Sequence, residues 1–123
     1  MSVLSAFNKT LDVFSASLVS MFPTDKDLKV FNQSRQLLAK TNPRKVCSLF
    51  HEYITVPYKS FIDTKDEAAC FTQSEKDLTD NYDGEIPIME RLRAYWGVMS
   101  DESKANVWKF LQNLTKLSTM AHA

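Results

Sequence analysis

The chain has 123 residues, with 15 basic and 15 acidic side chains and a formal net charge of zero. Zero net charge excludes binding to nucleic acid or to a membrane through overall charge alone. Hydrophobic residues make up 44% and charged residues 24% of the chain, a typical globular composition. A chain of this size can bury a core without a metal or a disulfide framework. We therefore expect one domain over residues 1–123.

Compartment and membrane association follow from what the sequence lacks. Cys47 and Cys70 are too few for a disulfide framework. No stretch has the charged start and apolar run of a secretory signal, and no window reaches the roughly 18 apolar residues of a membrane span. We therefore expect an intracellular, reducing compartment and no membrane partner.

Hydrophobic periodicity predicts an all-helical fold. The chain has two glycines and little alternation of β-branched with polar residues, so strand signals are nearly absent. Apolar residues recur at helical spacing instead, which predicts a compact bundle of about five main helices with one or two short helical turns. The first predicted helix ends near Pro23 and carries one apolar stripe: Leu4, Phe7, Leu11, Phe14 and Leu18.

Two helix starts are predicted next. Thr24 can cap the second helix with its hydroxyl, and Asn42 can cap the third, with Pro43 in its first turn. Pro57 is expected to end or bend the third helix, because a proline disfavours helical angles in the residue before it. The predicted buried residues are Leu28, Phe31, Leu37 and Leu38 in the second helix, and Val46, Leu49, Phe50 and Tyr53 in the third.

An acidic stretch divides the rest of the chain. Short helical segments are expected around Phe61 and Ala69, and residues 72–85 are so poor in apolar side chains that they predict a flexible connecting loop. Ser100 is then expected to cap the last helix. The predicted apolar residues are Ile88, Leu92, Tyr95 and Met99 in the helix before Ser100, and Val107, Leu111, Leu114 and either Leu117 or Ser118 after it.

The zero net charge hides two blocks of opposite sign. Residues 26–45 carry six cations and one acid, a balance of +5, and residues 63–90 carry nine acids and two cations, a balance of −7. These blocks either face each other within the fold or present opposite patches to partners. A nucleic-acid interface is a further alternative, which would use the six cations Lys26, Lys29, Arg35, Lys40, Arg44 and Lys45.

One stretch, residues 79–90, is similar to the calcium loop of an EF-hand. Asn81, Asp83 and Glu90 fall on its ligand positions. Thr79, however, stands where an aspartate normally binds the ion, and no second loop pairs with this one. The alternative is an acidic linker, which we favour, so no metal or other cofactor is expected.

Cys47 and His51 are four residues apart and share one face of a helix. They could form half of a metal site, with Cys70 as a third ligand, or a thiol and base pair. The alternative is a small cysteine buried in a helical core. His122 is expected to lie in a frayed end. The sequence has no phosphate-binding glycine loop, serine elbow or two-histidine zinc helix, and we expect no enzymatic activity.

Large aromatic residues in the last third of the chain point to a different role. Tyr95, Trp96 and Trp108 cannot all face inward on helices of this pitch, so some of them are expected at the surface. Exposed tyrosine and tryptophan are typical of protein interfaces. The alternative is that large rings straddle a small core.

Two parts of the chain carry a loose family resemblance that spans residues 28–117. The residues that carry it are Asn42, Pro43, Arg44, Lys45, Val46, Phe50, Tyr53, Pro57, Tyr58, Ile62, Asp66, Glu67 and Phe71, and then Ser103, Lys104 and 107–114. In these residues the chain resembles small helical proteins of large nucleocytoplasmic DNA viruses. The resemblance implies an all-helical fold, a virion or viral-factory setting in a host cytoplasm, and a structural or assembly role.

These observations favour a non-enzymatic protein interaction or assembly module, with a protein partner or a second copy bound through aromatic and charged patches. Nucleic-acid association through residues 26–45 is the alternative. A degenerate calcium site at residues 79–90 is the third hypothesis.

Overall fold

The structure, a computed structural model, describes residues 2–80 and 88–122. Of these residues 89% are helical and none lies in a strand, which confirms the all-α prediction. The helices are α1 (Val3–Met21), α2 (Lys26–Thr41), α3 (Pro43–Phe50), a π-helical segment (His51–Thr55), α4 (Val56–Asp63), α5 (Glu67–Asp80), α6 (Ile88–Tyr95), a 3₁₀ segment (Trp96–Val98) and α7 (Asp101–Ala121). The π-helical and 3₁₀ segments continue the helices before them, so the described residues form six helical rods.

The core lies where α1 packs against α7. The predicted stripe of α1 is buried from Phe7 onward, and its Phe14 ring stacks on Phe110 of α7 with centroids 5.2 Å apart. The stripe of α7 is also confirmed, and at its last position the buried residue is Ser118, whereas Leu117 is only half-buried. Because each fully buried Leu or Phe contributes roughly 1.5 to 3 kcal/mol, this contact supplies much of the stability of the fold.

The helices between α1 and α7 bury less than predicted. In α2, Leu28 is buried, Leu38 is half-buried and Leu37 is 67% exposed, so the prediction for Leu37 is wrong. In the next rod, Val46 and Phe50 are buried, whereas Leu49 is half-buried and Tyr53 is exposed. Leu37 and Tyr53 are exposed because each is one or two residues along the chain from the residues of its helix that face the core. Their side chains therefore point outward.

Two of the three predicted caps are corrected. The N-cap of α2 is Asp25 rather than Thr24, and its carboxylate accepts from the Leu28 backbone N–H at 3.0 Å. Asn42 occupies the N-cap position of α3 but its side chain makes no capping hydrogen bond. Ser100 caps α7 as predicted and accepts from the Ser103 N–H at 3.1 Å.

Pro57 does not end the third rod. Proline has no N–H, and its ring clashes with the carbonyl four residues earlier, here that of Tyr53. The π-helical turn just before Pro57 widens the backbone, and the Val56 N–H bonds to the His51 carbonyl five residues back. The wider turn accommodates the proline, so the helix continues through α4 to Asp63.

The predicted acidic loop is wrong over residues 72–80, which belong to α5. Glu, Gln and Lys are good helix formers, so low apolar content does not prevent a helix here. The helix needs only a narrow inner face, which the buried Cys70 and Ser74 provide, and the Asp66 carboxylate caps its first turn by accepting from the Ala69 N–H at 3.0 Å. The remaining part of the predicted loop, residues 81–85, lies outside the described residues.

The helix predicted around Ile88 is shorter than expected. α6 ends at Tyr95 and narrows into the 3₁₀ segment, so Met99 follows the helix instead of belonging to it. Met99 is nevertheless buried, as are Ile88 and Leu92. The pattern therefore identified the buried residues correctly but not the change of helix type.

Candidate functional site

The basic block divides into one buried cation and five exposed ones. Arg35 is only 4% exposed, so it is not available to a phosphate or to a partner, and its place in the predicted nucleic-acid interface is wrong. The other five predicted cations are exposed, and no ion pair holds any of them among the described side chains of residues 2–76 and 88–122. Those five residues are Lys26, Lys29, Lys40, Arg44 and Lys45.

Arg35 fastens α2 to α1. Its guanidinium forms an ion pair with Asp12 of α1 and also donates to the Asn32 side-chain oxygen at 2.8 Å. Within the described chain, the Arg35 Nε, the Asn8 Oδ1 and the Ser15 Oγ are buried without a hydrogen-bond partner. An unpaired buried polar atom costs stability, so this contact between α1 and α2 holds less tightly than an apolar contact of equal area.

The outer face of α2 carries two exposed aliphatic side chains between lysines. Val30 is 50% and Leu37 is 67% exposed. These two residues are seven apart, so they lie on one side of the helix about 10 Å from each other. Lys26 and Lys40 continue the same face at either end. We call this surface, Lys26, Lys29, Val30, Leu37 and Lys40, the α2 outer face.

The two charge blocks do not neutralise each other in the part of the chain that the structure describes. Arg35 pairs with Asp12, and the one acid of the basic block, Asp27, pairs with Arg91. On the acidic side, Lys59 holds Asp63, while Arg93 holds Glu75 and Glu90. No ion pair in this set joins a cation of residues 26–45 to an acid of residues 63–90. Among the side chains that the structure describes, in residues 2–76 and 88–122, the two blocks therefore do not pair with each other.

A polar cluster also holds the start of α2. The Asp25 carboxylate is buried and accepts a hydrogen bond from the Tyr95 hydroxyl, while Arg91 lies 3.7 Å away. Burial opposes ionisation of Asp25, but the hydrogen bonds from Tyr95 and from the Leu28 N–H, together with Arg91, outweigh it and lower the pKa of the carboxyl. The Tyr95 ring is stacked on Phe22, with centroids 3.9 Å apart.

The predicted aromatic interface is not at the surface. Trp96 is 7% and Trp108 is 6% exposed, and their rings meet edge to face with centroids 5.4 Å apart. Tyr95 is half-buried against Phe22. The expectation of exposure was wrong because Trp96 follows the buried Leu92 by four residues and so lies on the inner face of its rod, where it packs on Trp108.

Two histidines meet where the π-helical segment packs on the end of α7. His51 and His122 stack with ring centroids 4.2 Å apart and planes 9° from parallel. His122 donates from Nδ1 to the Ser118 carbonyl at 2.8 Å, and its Nε2 lies 3.4 Å from the Ser48 hydroxyl. The prediction that His122 belongs to a frayed end is therefore wrong. Sequence reasoning missed this pair because the two residues are far apart in the chain.

A buried chain of hydroxyls lies beneath the histidines. The Ser118 hydroxyl donates to the Thr115 carbonyl at 3.1 Å, and Thr55 Oγ1 lies 2.5 Å from the Ser118 hydroxyl oxygen. The His51 Nδ1 lies 3.5 Å from the same Ser118 oxygen. Since Ser118 has one proton and donates it to Thr115, Thr55 donates to Ser118, and the His51 Nδ1 faces the same oxygen. The hydrogen bond to the Ser118 carbonyl places the proton of neutral His122 on Nδ1.

This cluster does not have the geometry of a metal site or of a nucleophile. Within residues 2–80 and 88–122, no group of three His, Cys, Asp or Glu side chains could hold a metal ion, so the proposed ligation by Cys47, His51 and Cys70 is wrong. Burial raises the pKa of Cys47, with Arg44 opposing the shift, and burial together with Asp66 raises the pKa of Cys70 to about 11. Both are neutral thiols in the core, as the alternative interpretation predicted.

The calcium hypothesis is left with one described residue. Glu90 forms a bidentate pair with Arg93, at 2.5 and 2.8 Å, and Asn81 and Asp83 lie outside the described residues. One further concave feature is a shallow groove of ≈ 190 Å³ between α1 and α7, lined mainly by Phe14, Met21, Val107 and Phe110. No titratable side chain lines this groove.

Within the described chain, no helix combines the length and the apolar character needed to cross a membrane. Comparison of the chain with protein-family models, with curated proteins and with solved structures finds no match. The surface that this geometry singles out is the α2 outer face.

Proposed function

We propose that this chain is a non-enzymatic assembly module that associates with a second copy of itself, the α2 outer face of one copy docking on the acidic α5 of the other. The observation that carries the proposal is the α2 outer face itself, where Val30 and Leu37 are exposed between three lysines. α2 reaches its neighbours α1 and α3 through its other side, so the fold does not need this face.

Charge complementarity favours a second copy as the occupant. The basic residues of α2 and the exposed Asp66 and Glu67 at the start of α5 are not paired with each other within one copy. Two copies related by a twofold axis could pair them twice, once in each direction. A net charge of zero removes long-range repulsion between copies.

The contact is expected to be weak and reversible. Covering two half-exposed aliphatic side chains yields only about 2 to 3 kcal/mol, and each exposed ion pair adds at most about 1 kcal/mol. A symmetric dimer forms this contact twice, which doubles both contributions to the binding free energy. Association also costs several kcal/mol, because the two copies lose rotational and translational freedom. We therefore expect a dissociation constant on the order of 10 µM to 1 mM.

Sedimentation velocity at increasing protein concentration tests this proposal. We expect wild-type protein to associate at about 0.1 M salt and to dissociate at about 1 M salt, where the screening length falls from about 10 Å to about 3 Å. Leu37→Glu should abolish association. Val56→Glu is the matched control, because Val56 is equally exposed at 70% but lies on α4. A wild-type chain that stays monomeric at millimolar concentration and low salt contradicts the proposal.

A charge-swap experiment tests the pairing of α2 with α5. Lys40→Glu and Glu67→Lys should each lose self-association, because each places like charges opposite one another. Mixing the two variants should restore it, since the introduced carboxylate of one copy would then face the introduced ammonium group of the other, and the remaining pair is wild type. If the mixture stays monomeric while each variant is folded, α5 is not the partner surface.

Nucleic acid is the second candidate occupant of the same surface. All five remaining cations of the block are exposed, which phosphate contacts require. A fluorescent oligonucleotide titrated at low salt distinguishes the candidates, because phosphate binding would depend on Lys40 but would survive Leu37→Ser, which removes the aliphatic side chain without adding a charge. The proposed viral setting rests on the resemblance at residues 42–71 and 103–114, and the proposed intracellular location rests on the two unpaired cysteines.

A further inference from the structure

We propose that the stacked pair His51 and His122 is a pH-sensitive latch, which holds the last turn of α7 on the π-helical segment when both rings are neutral and releases it when they are protonated. This device is separate from the α2 outer face, since it lies on α3, the π-helical segment and α7. Its readout is local, at the end of α7.

The geometry requires neutral rings. The imidazole planes are 9° from parallel with centroids 4.2 Å apart, so protonation of both rings would place two positive charges at that separation. The groups that meet the two Nδ1 atoms are the Ser118 carbonyl and the Ser118 hydroxyl. Neither of them is a carboxylate that could balance an added charge.

The surroundings offer no other compensation to His51. The π-helical segment packs on α3, α4 and α7. On α3 the nearest titratable group in sequence is the neutral Cys47, and on α4 Lys59 and Asp63 pair with each other. On α7, Lys116 is exposed, and the segment's own Glu52 is exposed. Of the charged groups, His122 is the one whose charge acts on His51.

The sign of the effect follows from the direction of the shift. Burial, and then the charge of His122, lower the pKa of His51 below 6.5. The folded state therefore binds the proton less readily than the unfolded chain does. The stabilisation is fully present above the unfolded pKa of 6.5 and is lost as the pH falls through the folded pKa.

His51 and Thr55, at the two ends of the π-helical segment, are four residues apart and lie on the same side of it. Both reach the Ser118 hydroxyl of α7. π-helical turns inside α-helices are frequent at functional sites. The other buried hydroxyls, Thr55 and Thr115, keep their hydrogen bonds when the rings move apart, so opening of the latch need not disturb the core.

Amide hydrogen exchange of α7, corrected for the intrinsic pH dependence of exchange, tests the latch. Between about pH 7.5 and about pH 5.5, we expect protection of residues 119–122 to fall by about tenfold in wild-type protein, while protection of residues 107–114 is unchanged. His122→Gln should remove this pH dependence. Its side chain is exposed, so the variant is expected to fold.

Ser48→Ala provides the matched control, because it removes the contact to His122 Nε2 but leaves the ring stack in place, and it should keep the pH dependence. A ring-proton NMR titration gives the second readout: the His51 pKa should rise toward 6.5 in His122→Gln. Equal protection at both pH values in wild-type protein would overturn the latch, and so would an unchanged pH dependence in His122→Gln.

Discussion

Two of the neighbours of helix α1, α7 and α2, are joined to it by opposite kinds of chemistry. Toward α7 it presents large apolar side chains, and Phe14 stacks on Phe110. Toward α2 it presents Asp12, which pairs with the buried Arg35. The first contact gains free energy from burial of apolar area, whereas the second must offset the cost of desolvating a charge.

This difference explains why α2 has an outer face that is available to a partner. An ion pair fixes the position of α2 without needing a wide apolar stripe, so Val30 and Leu37 remain outside the core. In α7 most apolar residues lie in the interior, including Trp108, although Met120 near its end is exposed. A helix that is held by polar contacts can therefore present aliphatic side chains to a second chain.

The largest expected effect lies in the apolar contact. Phe14→Ala should lower the free energy of unfolding by about 3 to 5 kcal/mol, because it removes a buried ring and leaves a cavity. Urea denaturation measures the loss. Val13→Ala is the control on the same helix, since Val13 is exposed, and it should be nearly neutral. A loss below about 1 kcal/mol for Phe14→Ala would show that this contact does not form the core.

A smaller effect is expected in the polar contact between α1 and α2. Asp12→Ala should lower the free energy of unfolding by about 2 to 3 kcal/mol, because it leaves Arg35 buried with only Asn32 as a partner. Adding Arg35→Met should recover part of the loss, since the double variant buries no charge. A double-mutant cycle measures the coupling, and strictly additive effects would contradict a direct Asp12 to Arg35 interaction.

The smallest effect is expected at the start of α2. Tyr95→Phe should lower the free energy of unfolding by about 1 to 2 kcal/mol at neutral pH, because the buried Asp25 loses a hydrogen-bond donor. The pKa of Asp25 is lowered in the fold despite its burial, so its stabilisation is present above the unfolded pKa of 3.8 and is lost as the pH falls through the folded pKa.

The difference between wild type and Tyr95→Phe should accordingly shrink as the pH falls below 3.8. Thermal unfolding at a series of pH values measures it. Tyr53→Phe, at an exposed tyrosine on the π-helical segment, is the control. A difference that stays constant down to about pH 2 would contradict the ionised state of Asp25 in the fold.

Patterns within short segments of the sequence predicted the helices of this chain more reliably than they predicted its surfaces. The stripe of α1 and the cap at Ser100 were predictable, because periodicity and capping depend on residues within one helix. The aromatic interface failed, because burial of Trp96 depends on the packing of its ring on Trp108 from another helix. The loop predicted at residues 72–80, which belong to α5, failed for a related reason. The inner face of α5 is narrow, and the burial of Cys70 and Ser74 depends on the neighbours on which they pack.

The basic residues 26–45 show the same difference between what the sequence predicts and what the packing of helices decides. The sequence established that six cations lie within residues 26–45, but it treated them as equivalent. Only the packing of α2 against α1 separates Arg35 from the others, because Asp12 lies 23 residues earlier in the chain. The docking surface we propose is thus smaller than the predicted one and includes the two aliphatic residues that the pattern had assigned to no interface.

The sequence by itself determined that the chain is helical, where α3 and α7 begin, and which residues form the apolar stripes of α1 and α7, since each of these depends on spacing of a few residues. Only the tertiary structure decided which polar side chains meet. His51 and His122, Asp25 and Tyr95, and Asp12 and Arg35 are all distant in the chain. Such pairs are created when helices pack, and a pattern along one helix carries no record of what lies across from it.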